Sequence, residues 1–518
     1  GQVLVALGHC TNAEVAMALA EQAGLETVDL DQVQPSEEAL EKVDASTAHT
    51  FGVLPIRLEA DTLVVAIGDP LNTAVLEDLS FSTGMPVRGA VGDAERLSKL
   101  VEELYGAEES LADAIAGAAA SVDGHDTEAA AASQPVVRLL NSILHRAIRD
   151  RASDIHFESF EDAFRIRYRV DGTLYEVESP PPHLALPLVS RVKVMSSLDI
   201  TETRVPQDGR IELSIDGRPV DLRVATLPSI SGEGCVLRIL DRSAVSLDLR
   251  ALGLGKAEED VLRELVELPH GIVLITGPTG SGKTTTLYAM LQEANTADVK
   301  IITTEDPVEY DIDGIVQVPV NTDIGVTYAA VLRTILRQDP DKILVGEIRD
   351  EETAAVAVEA SLTGHTVFST IHTNDAPSTI TRLVDMGIAP FLISATLEAV
   401  VAQRLVRRIC AGCRESYQPD EDLLRELGPD SAQFEDSTLY FGRGCEDCHH
   451  TGYKGRVGLF EILRLDAAMK SQVLAGGSTN ELREAAKAAG MHSLRDSGLN
   501  AVLEGTTTIE EVLRETLV

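Results

Sequence analysis

Residues 277–285 read Gly277-Pro278-Thr279-Gly280-Ser281-Gly282-Lys283-Thr284-Thr285, directly after the apolar run Ile272-Val273-Leu274-Ile275. A buried strand, a glycine-rich turn and a helix start are the parts of a phosphate cradle. Glycines let the backbone curl until its N–H groups face phosphate oxygens. The following helix offers its positive end to the same anion. In this Walker A pattern Lys283 reaches the β- and γ-phosphates, and the Thr284 hydroxyl ligates Mg²⁺. The bland alternative, a glycine-rich turn before an ordinary helix, does not call for the whole pattern. The expected ligand is a nucleoside triphosphate.

Further along, Ile343-Leu344-Val345-Gly346-Glu347 is a second buried run ending in an acid, as a Walker B element does. Gly346 stands where many P-loop proteins carry Asp, so Glu347 becomes the candidate for polarising the attacking water. One carboxylate near the γ-phosphate is enough for that task. The alternative is a surface acid capping the next helix, with Arg349 and Asp350 solvated nearby. Between the two motifs, Glu305, Asp306 and Glu309 follow the run Ile301-Ile302-Thr303-Thr304. Carboxylates after a buried strand are costly unless they hold a cation or pair with Arg. At the carboxyl end of a parallel sheet they would face the nucleotide crevice; otherwise they form a charged turn ended by Pro307. His365 and His372 flank the strand candidate 366–370. One of them could sense the γ-phosphate, and a structural histidine is the competing reading.

Cys410-x-x-Cys413 and Cys445-x-x-Cys448 have the spacing of a four-cysteine zinc site. With all four ligands from protein, such a zinc would be structural. Disulfides, which a reducing cytoplasm disfavours, and an iron–sulfur cluster are the alternatives. Cys10 and Cys235 stand alone and read as small buried apolar residues.

The chain that must position these groups has 518 residues and calls for several domains. Its formal net charge of −39 repels nucleic acids and anionic lipid at long range. No nucleic-acid partner is expected, although the basic stretch Arg404-Leu405-Val406-Arg407-Arg408 keeps a nucleic-acid translocase as an alternative. No run of 18 apolar residues offers a membrane span. Because residue 1 is Gly, the chain is expected to begin inside a longer protein. Residues 1–106 read as a small α/β domain, with helices over 14–24 and 97–105 and a strand over 63–67. Residues 107–134 are Ala-rich, a linker or loosely helical tether. Residues 135–249 open with an amphipathic helix and continue with alternating runs at 164–170 and 211–215, the pattern of an antiparallel sheet with one wet face. Residues 250–404 alternate strands, at 272–276, 301–304, 343–345 and 366–370, with helices, as a parallel sheet does. Residues 405–460 hold the cysteines and 461–518 read as helical.

With these residues in view, the chain resembles the type II secretion ATPases (GspE/PulE-like) and the type IV pilus extension ATPases, over essentially its whole length. The resemblance is carried by Ala152-Ser153-Asp154-Ile155-His156-Phe157-Glu158, Pro206-Gln207-Asp208-Gly209-Arg210, Asp221-Leu222-Arg223-Val224, the Walker A loop and Glu305-Asp306-Pro307-Val308-Glu309. It continues through Leu336-Arg337-Gln338-Asp339-Pro340-Asp341, Gly346-Glu347-Ile348-Arg349-Asp350, Ser369-Thr370-Ile371-His372-Thr373-Asn374, Gln403-Arg404-Leu405 and Thr451-Gly452-Tyr453-Lys454-Gly455-Arg456.

The resemblance implies an α/β, multidomain protein: a RecA-like P-loop ATPase core preceded by a PAS-like α+β domain and a small amino-terminal domain, with a Cys₄ zinc module. It implies a hexameric ring that uses ATP, Mg²⁺ and Zn²⁺. Glu305 and Glu309 then belong to an Asp box, Glu347 to Walker B, and His365 and His372 to a His box. Arg210 and Arg223 match arginines that approach the nucleotide from the PAS-like domain. Residues 1–106 are implied to dock on the cytoplasmic domain of an inner-membrane anchor, in some members binding cyclic di-GMP, and a platform protein of that membrane is a further implied partner. The implied location is cytoplasmic, attached peripherally to the inner membrane. The leading function is a motor for pseudopilus assembly in type II secretion. Type IV pilus extension is the alternative; a pilus retraction motor and a non-enzymatic ATP-binding scaffold fit less well.

Overall fold

Unbroken apolar runs become fully buried strands here, and alternating runs become strands with one wet face. The computed structural model describes residues 15, 17–18, 20–21, 25–70, 74–105, 111–121, 130–131, 133–215, 218–241, 247–434 and 437–516. Cys10, Gly106, the turn 216–217 and most of the expected helix over 14–24 lie outside the described residues. The chain divides into two compact units, Gly1–Ala244 and Val245–Val518.

The first unit holds two sheets over one continuous apolar core. Strands β1 (Glu26–Thr27), β2 (Val53–Glu59), β3 (Thr62–Ile67) and β4 (Val87–Val91) form a sheet in the order β1-β4-β3-β2. Within the Ala-rich stretch, helix α1 (Leu111–Ser121) buries Leu111, Ala114 and Ala118, the 3- and 4-residue spacing that puts side chains on one helix face. Helix α2 (Gln134–Arg149) starts with Pro in its first turn and buries Val136, Leu139, Leu140, Ile143, Leu144 and Ala147. The second sheet comprises β5 (Asp154–Ser159), β6 (Phe164–Val170), β7 (Thr173–Glu178), β8 (Gln207–Ile215), β9 (Arg218–Ser229) and β10 (Gly232–Asp241), in the order β7-β6-β5-β10-β9-β8, all antiparallel. Its inner face packs Ile155, Phe157, Ile166, Tyr168, Leu222 and Leu237 into the core. Cys235 is buried there as a free thiol, and burial pushes it up to about 12.

The second unit is built on a seven-stranded sheet. Its strands are β11 (Gly271–Thr276), β12 (Ile301–Glu305), β13 (Val316–Pro319), β14 (Lys342–Val345), β15 (Thr366–Ile371), β16 (Leu397–Ile409) and, after the cysteine module, β19 (Tyr453–Arg464); the order is β13-β12-β14-β15-β11-β16-β19. The four strands expected from apolar runs are all present and parallel. Long β16 and β19 were not expected. β16 continues the sheet parallel to β11 and β19 returns antiparallel to β16. The cysteine module, with the short pair β17 (Arg414–Tyr417) and β18 (Leu439–Gly442), therefore hangs from the ends of two sheet strands. β19 reaches Arg464, so the expected helical tail begins only after a strand. Tail helices α4 (Leu494–Leu503) and α5 (Ile509–Thr516), numbered after the Walker A helix α3 (Lys283–Ala294), pack on the core around Leu499, Val502, Ile509 and Val512.

Candidate active site at the carboxyl ends of the parallel strands

Parallel register brings the ends of β11, β12, β14 and β15 to one edge of the sheet, where crevices in open α/β folds bind ligands. The Walker A loop leaves β11 there. Gly277 has φ +148°, and a Cβ on it would stand 2.4 Å from the Gln403 carbonyl oxygen of β16, so only glycine fits. A Cβ at Gly280 would meet nothing within 4 Å; the loop's outer side is open. Lys283 Nζ, at the start of α3, donates to the Gly277 and Pro278 carbonyls at 2.9 and 3.0 Å. Burial holds its pKa below the usual lysine value, with Arg404 acting the same way and the Glu347 carboxylate opposing. The Ser281 hydroxyl is buried without a partner among the described residues, which leaves it a hydrogen bond to give. Thr284 is exposed and Thr285 half-buried on the first turn of α3, so both hydroxyls suit a phosphate–magnesium ligand.

Glu347 follows β14 by two residues, and His372 follows β15 by one. His372 Nε2 lies 3.2 Å from Glu347 Oε2, and Arg349 binds the other carboxylate oxygen. Thr276 Oγ1, at the end of β11, accepts from the Thr373 N–H at 2.9 Å, which ties the His372 segment to the root of the loop. A cavity of about 540 Å³ is lined by Gly277, Pro278 and His372 together with Asp375 and Arg382. The absent Walker B Asp has a steric reason: a Cβ at Gly346 would stand 2.9 Å from Tyr328 Oη and 3.2 Å from the Thr304 carbonyl.

Glu305 is buried, and its carboxylate takes hydrogen bonds from Tyr288, from Thr303 Oγ1 at 2.5 Å and from Gln317 Nε2 at 3.1 Å. Those neutral donors stand in for the cation or Arg partner expected from the sequence. Glu309 is half-buried, and its N–H donates to Tyr288 Oη at 3.3 Å. His365 is not brought into this site. It sits at the opposite end of β15, its Nδ1 3.0 Å from the Ala360 carbonyl, because six extended residues separate it from His372 by about 20 Å. Arg210 and Arg223 belong to the first unit, where they face each other across β8 and β9.

Three groups around the site carried no sequence signal of their own. Tyr288, Gln317 and Tyr328 reach the carboxylates through folding alone. Gln403 and Arg404 follow the part of β16 paired with β11; Gln403 Oε1 accepts from Thr286 Oγ1 at 2.8 Å, and Arg404 Nη2 donates to the Asn374 carbonyl at 2.9 Å.

The four cysteines converge as well. Their sulfurs lie within 4.8 Å of one another, with Sγ–Sγ separations of 3.9 Å (Cys410–Cys445), 3.8 Å (Cys413–Cys448) and 3.7 Å (Cys445–Cys448). A tetrahedron with Zn–S bonds near 2.3 Å has edges of about 3.8 Å. A disulfide would need about 2.05 Å; all four thiols are free. Burial pushes Cys413 up to about 12, whereas at Cys448 the N–H groups of Cys445 and Gly452 outweigh burial and bring it down to about 6. The set fits a zinc ion held as thiolates.

A phosphate loop after β11, an acid after β14 and a histidine at the end of β15 between them, on a parallel sheet continued by β16 and β19, define a RecA-like P-loop ATPase. The family model described as type II/IV secretion system protein matches residues 129–514, and the chain belongs to that family. An MshEN domain model matches residues 23–111. Type IV pilus assembly ATPase PilB of Myxococcus xanthus is 42% identical over 100% of this chain and 93% of its own length. Type II secretion system protein E of Pseudomonas aeruginosa is 54% identical over 74% of this chain and 76% of its own. Among solved structures, the pilus retraction motor PilT with bound ADP aligns with TM-score 0.50 and 25% identity, covering 73% of this chain and 96% of PilT. The Legionella pneumophila ATPase DotB shares the fold, with TM-score 0.54 and 23% identity over 72% of this chain and 94% of DotB. The chain is an ATP-hydrolysing enzyme of the secretion ATPase family. Among the described residues, no helix is long and apolar enough to cross a membrane.

Proposed function

We propose that this chain is the motor of a type II secretion system, hydrolysing ATP in a homo-hexameric ring to drive pseudopilus assembly at the inner membrane. The reading rests on one observation above others: Glu347 and His372, from different strands, meet beside the Walker A loop. The loop N–H groups and Lys283 hold the triphosphate. Bound Mg²⁺, held by Thr284, would neutralise charge between the β- and γ-phosphates. Glu347 takes up the proton of the attacking water, and His372 keeps that carboxylate in place while Arg349 holds its other oxygen. Glu305, already hydrogen-bonded, shapes the floor of the crevice with Glu309 rather than touching water. Arg210 and Arg223 of a neighbouring copy supply positive charge to the γ-phosphate. Cys410, Cys413, Cys445 and Cys448 hold a structural zinc. Residues 1–106 dock on the cytoplasmic part of a membrane anchor, which keeps the ring at the inner membrane against a platform protein. The domain boundaries are those of the sequence reading, adjusted so that β16 to Ile409 and β19 from Tyr453 to Arg464 stay with the core sheet, and His365 has no role in this scheme.

Type IV pilus extension is the second reading, favoured by the match to PilB across the whole chain. The type II secretion protein E of Xanthomonas campestris matches almost as fully, 42% over 98% of this chain. The test is expression of this chain in strains lacking either motor. Return of secretion is expected, with Lys283→Ala and Glu347→Gln abolishing it. Purified Glu347→Gln should keep ATP binding and lose turnover by about 10²- to 10⁴-fold. Rescue of piliation without secretion would establish the second reading; rescue of either process by Glu347→Gln would refute both.

A further inference from the structure

A buried cation without a paired anion lies against the root of the Walker A loop. Arg404 follows the part of β16 that pairs with β11, and the residue is 7% exposed. Its Nη1 donates to the Gln403 carbonyl at 3.1 Å and its Nη2 to the Asn374 carbonyl at 2.9 Å. Both acceptors are neutral, and among the described residues no carboxylate pairs with the guanidinium. Burial lowers its pKa, and the charges of Glu515, Glu461 and Asp375, acting from farther off, oppose this. An arginine stays protonated inside a protein, so the charge is kept there.

A buried charge held by carbonyls alone does little for folding. An apolar side chain of similar volume in such a place is often neutral or stabilising. Natural chains break that rule at functional positions, and the groups that Arg404 joins show which function. A Cβ on Gly277 would stand 3.3 Å from Arg404 Nη1 and 2.7 Å from Ser281 Oγ, so the guanidinium touches the first residue of the phosphate loop. Its other end holds Asn374, two residues after His372. Between them, Thr373 Oγ1 lies 2.7 Å from Thr276 Oγ1, on the residue before Gly277, and 2.7 Å from Thr379 Oγ1. The segment that carries His372 is therefore fastened to the loop root at two successive residues, by a hydroxyl pair and by a planar fork. The fork reaches two carbonyls in one fixed geometry, which a lysine amine does not reproduce.

We propose that Arg404 is a positioning residue for ATP hydrolysis. By bridging the root of the Walker A loop and the Asn374 carbonyl, it sets His372, and through it the Glu347 carboxylate, relative to the bound phosphates. This rests on the reading that Glu347 readies water with His372 beside it.

The test uses full-length rings, with ATP turnover, ATP affinity and thermal melting measured on each variant. Arg404→Met should lower kcat by about 10- to 100-fold, leave ATP affinity unchanged, and leave the melting temperature unchanged or higher. Arg404→Lys should restore part of the turnover. In the His372→Ala background, Arg404→Met should cost nothing further, because both changes act on one carboxylate. Wild-type turnover in Arg404→Met would overturn the proposal. So would a loss of ATP affinity that matches the loss of turnover, a melting temperature that falls in step with kcat, full recovery in Arg404→Lys, or losses that multiply in the double variant. Should Arg404→Met fail to fold, Arg404→Lys alone and in the His372→Ala background carries the same comparison. The single variants His372→Ala and Glu347→Gln separate the two levels. If they lose turnover while Arg404→Met loses none, the bridge alone falls. If they keep wild-type turnover, the underlying reading falls with it.

Discussion

The two large sheets of this molecule handle charge in opposite ways. The sheet of the second unit buries its central parallel strands on both faces and gathers polar groups at one edge, where Lys283, Glu347 and His372 meet. The antiparallel sheet of the first unit buries one face and spreads arginines across the other. Parallel strands all end on the same side, so chemistry collects at strand ends; antiparallel strands alternate direction, so chemistry collects in rows across them. In the second unit Arg407 is tied to buried Glu511 at 2.6 Å and stacks 4.0 Å above the Tyr453 ring. In the first unit Arg210 and Arg238 stay exposed.

The largest expected effect tests whether the strand-end site depends on its own sheet or on the module attached to it. Cys413→Ser, or a chelator, should release the proposed zinc and lower the melting temperature by about 5 °C or more. ATP binding at the Walker A loop should survive, because β16 passes Gln403 seven residues before the first cysteine. Loss of zinc and of ATP affinity together would show that module and crevice form one unit.

A smaller effect tests the crowding behind Glu347. Gly346→Ala should push on Tyr328 and the Thr304 carbonyl, misplace Glu347 and lower turnover by about 10-fold. Gly346→Ala combined with Tyr328→Phe should recover much of that loss by removing the nearer oxygen. Equal activity in both variants would mean that the missing Walker B Asp has another cause.

The smallest effect concerns the tied arginine. Burial raises the Glu511 pKa, but the hydrogen bonds and charge of Arg407, with Arg514, more than offset this and hold it below the usual glutamate value. Its stabilisation is therefore whole above the unfolded pKa near 4.3 and is lost as pH falls through the lower folded value. Glu511→Gln should cost about 1 kcal/mol at neutral pH and flatten the loss of stability below pH 4.5. Acid unfolding curves that coincide with wild type would place the pair among inert contacts.

Much of the strand-end site was legible because each motif follows its own apolar run. The Walker A loop, Glu347, His372 and both cysteine pairs are local words in the chain, and parallel register needs only to bring their ends together. His365 misled for the same reason: it borders the same run as His372, but at the wrong end. Glu305 was legible as an acid at the end of a buried strand and misread in its partners, since Tyr288 and Gln317 lie 17 and 12 residues away. β16 and β19 escaped notice because Gln403, Arg404 and Glu461 interrupt their apolar pattern, yet each is buried and satisfied by distant groups.

By itself the sequence determined the phosphate loop, the zinc-type cysteine set and the family, because glycine, lysine and thiolate chemistry depend on residues close together in the chain. Only the tertiary structure decided which acid meets which histidine, why glycine precedes Glu347, and that Arg210, Arg223 and Arg238 form one row. Those relations depend on register and close packing between segments far apart, which no local pattern encodes.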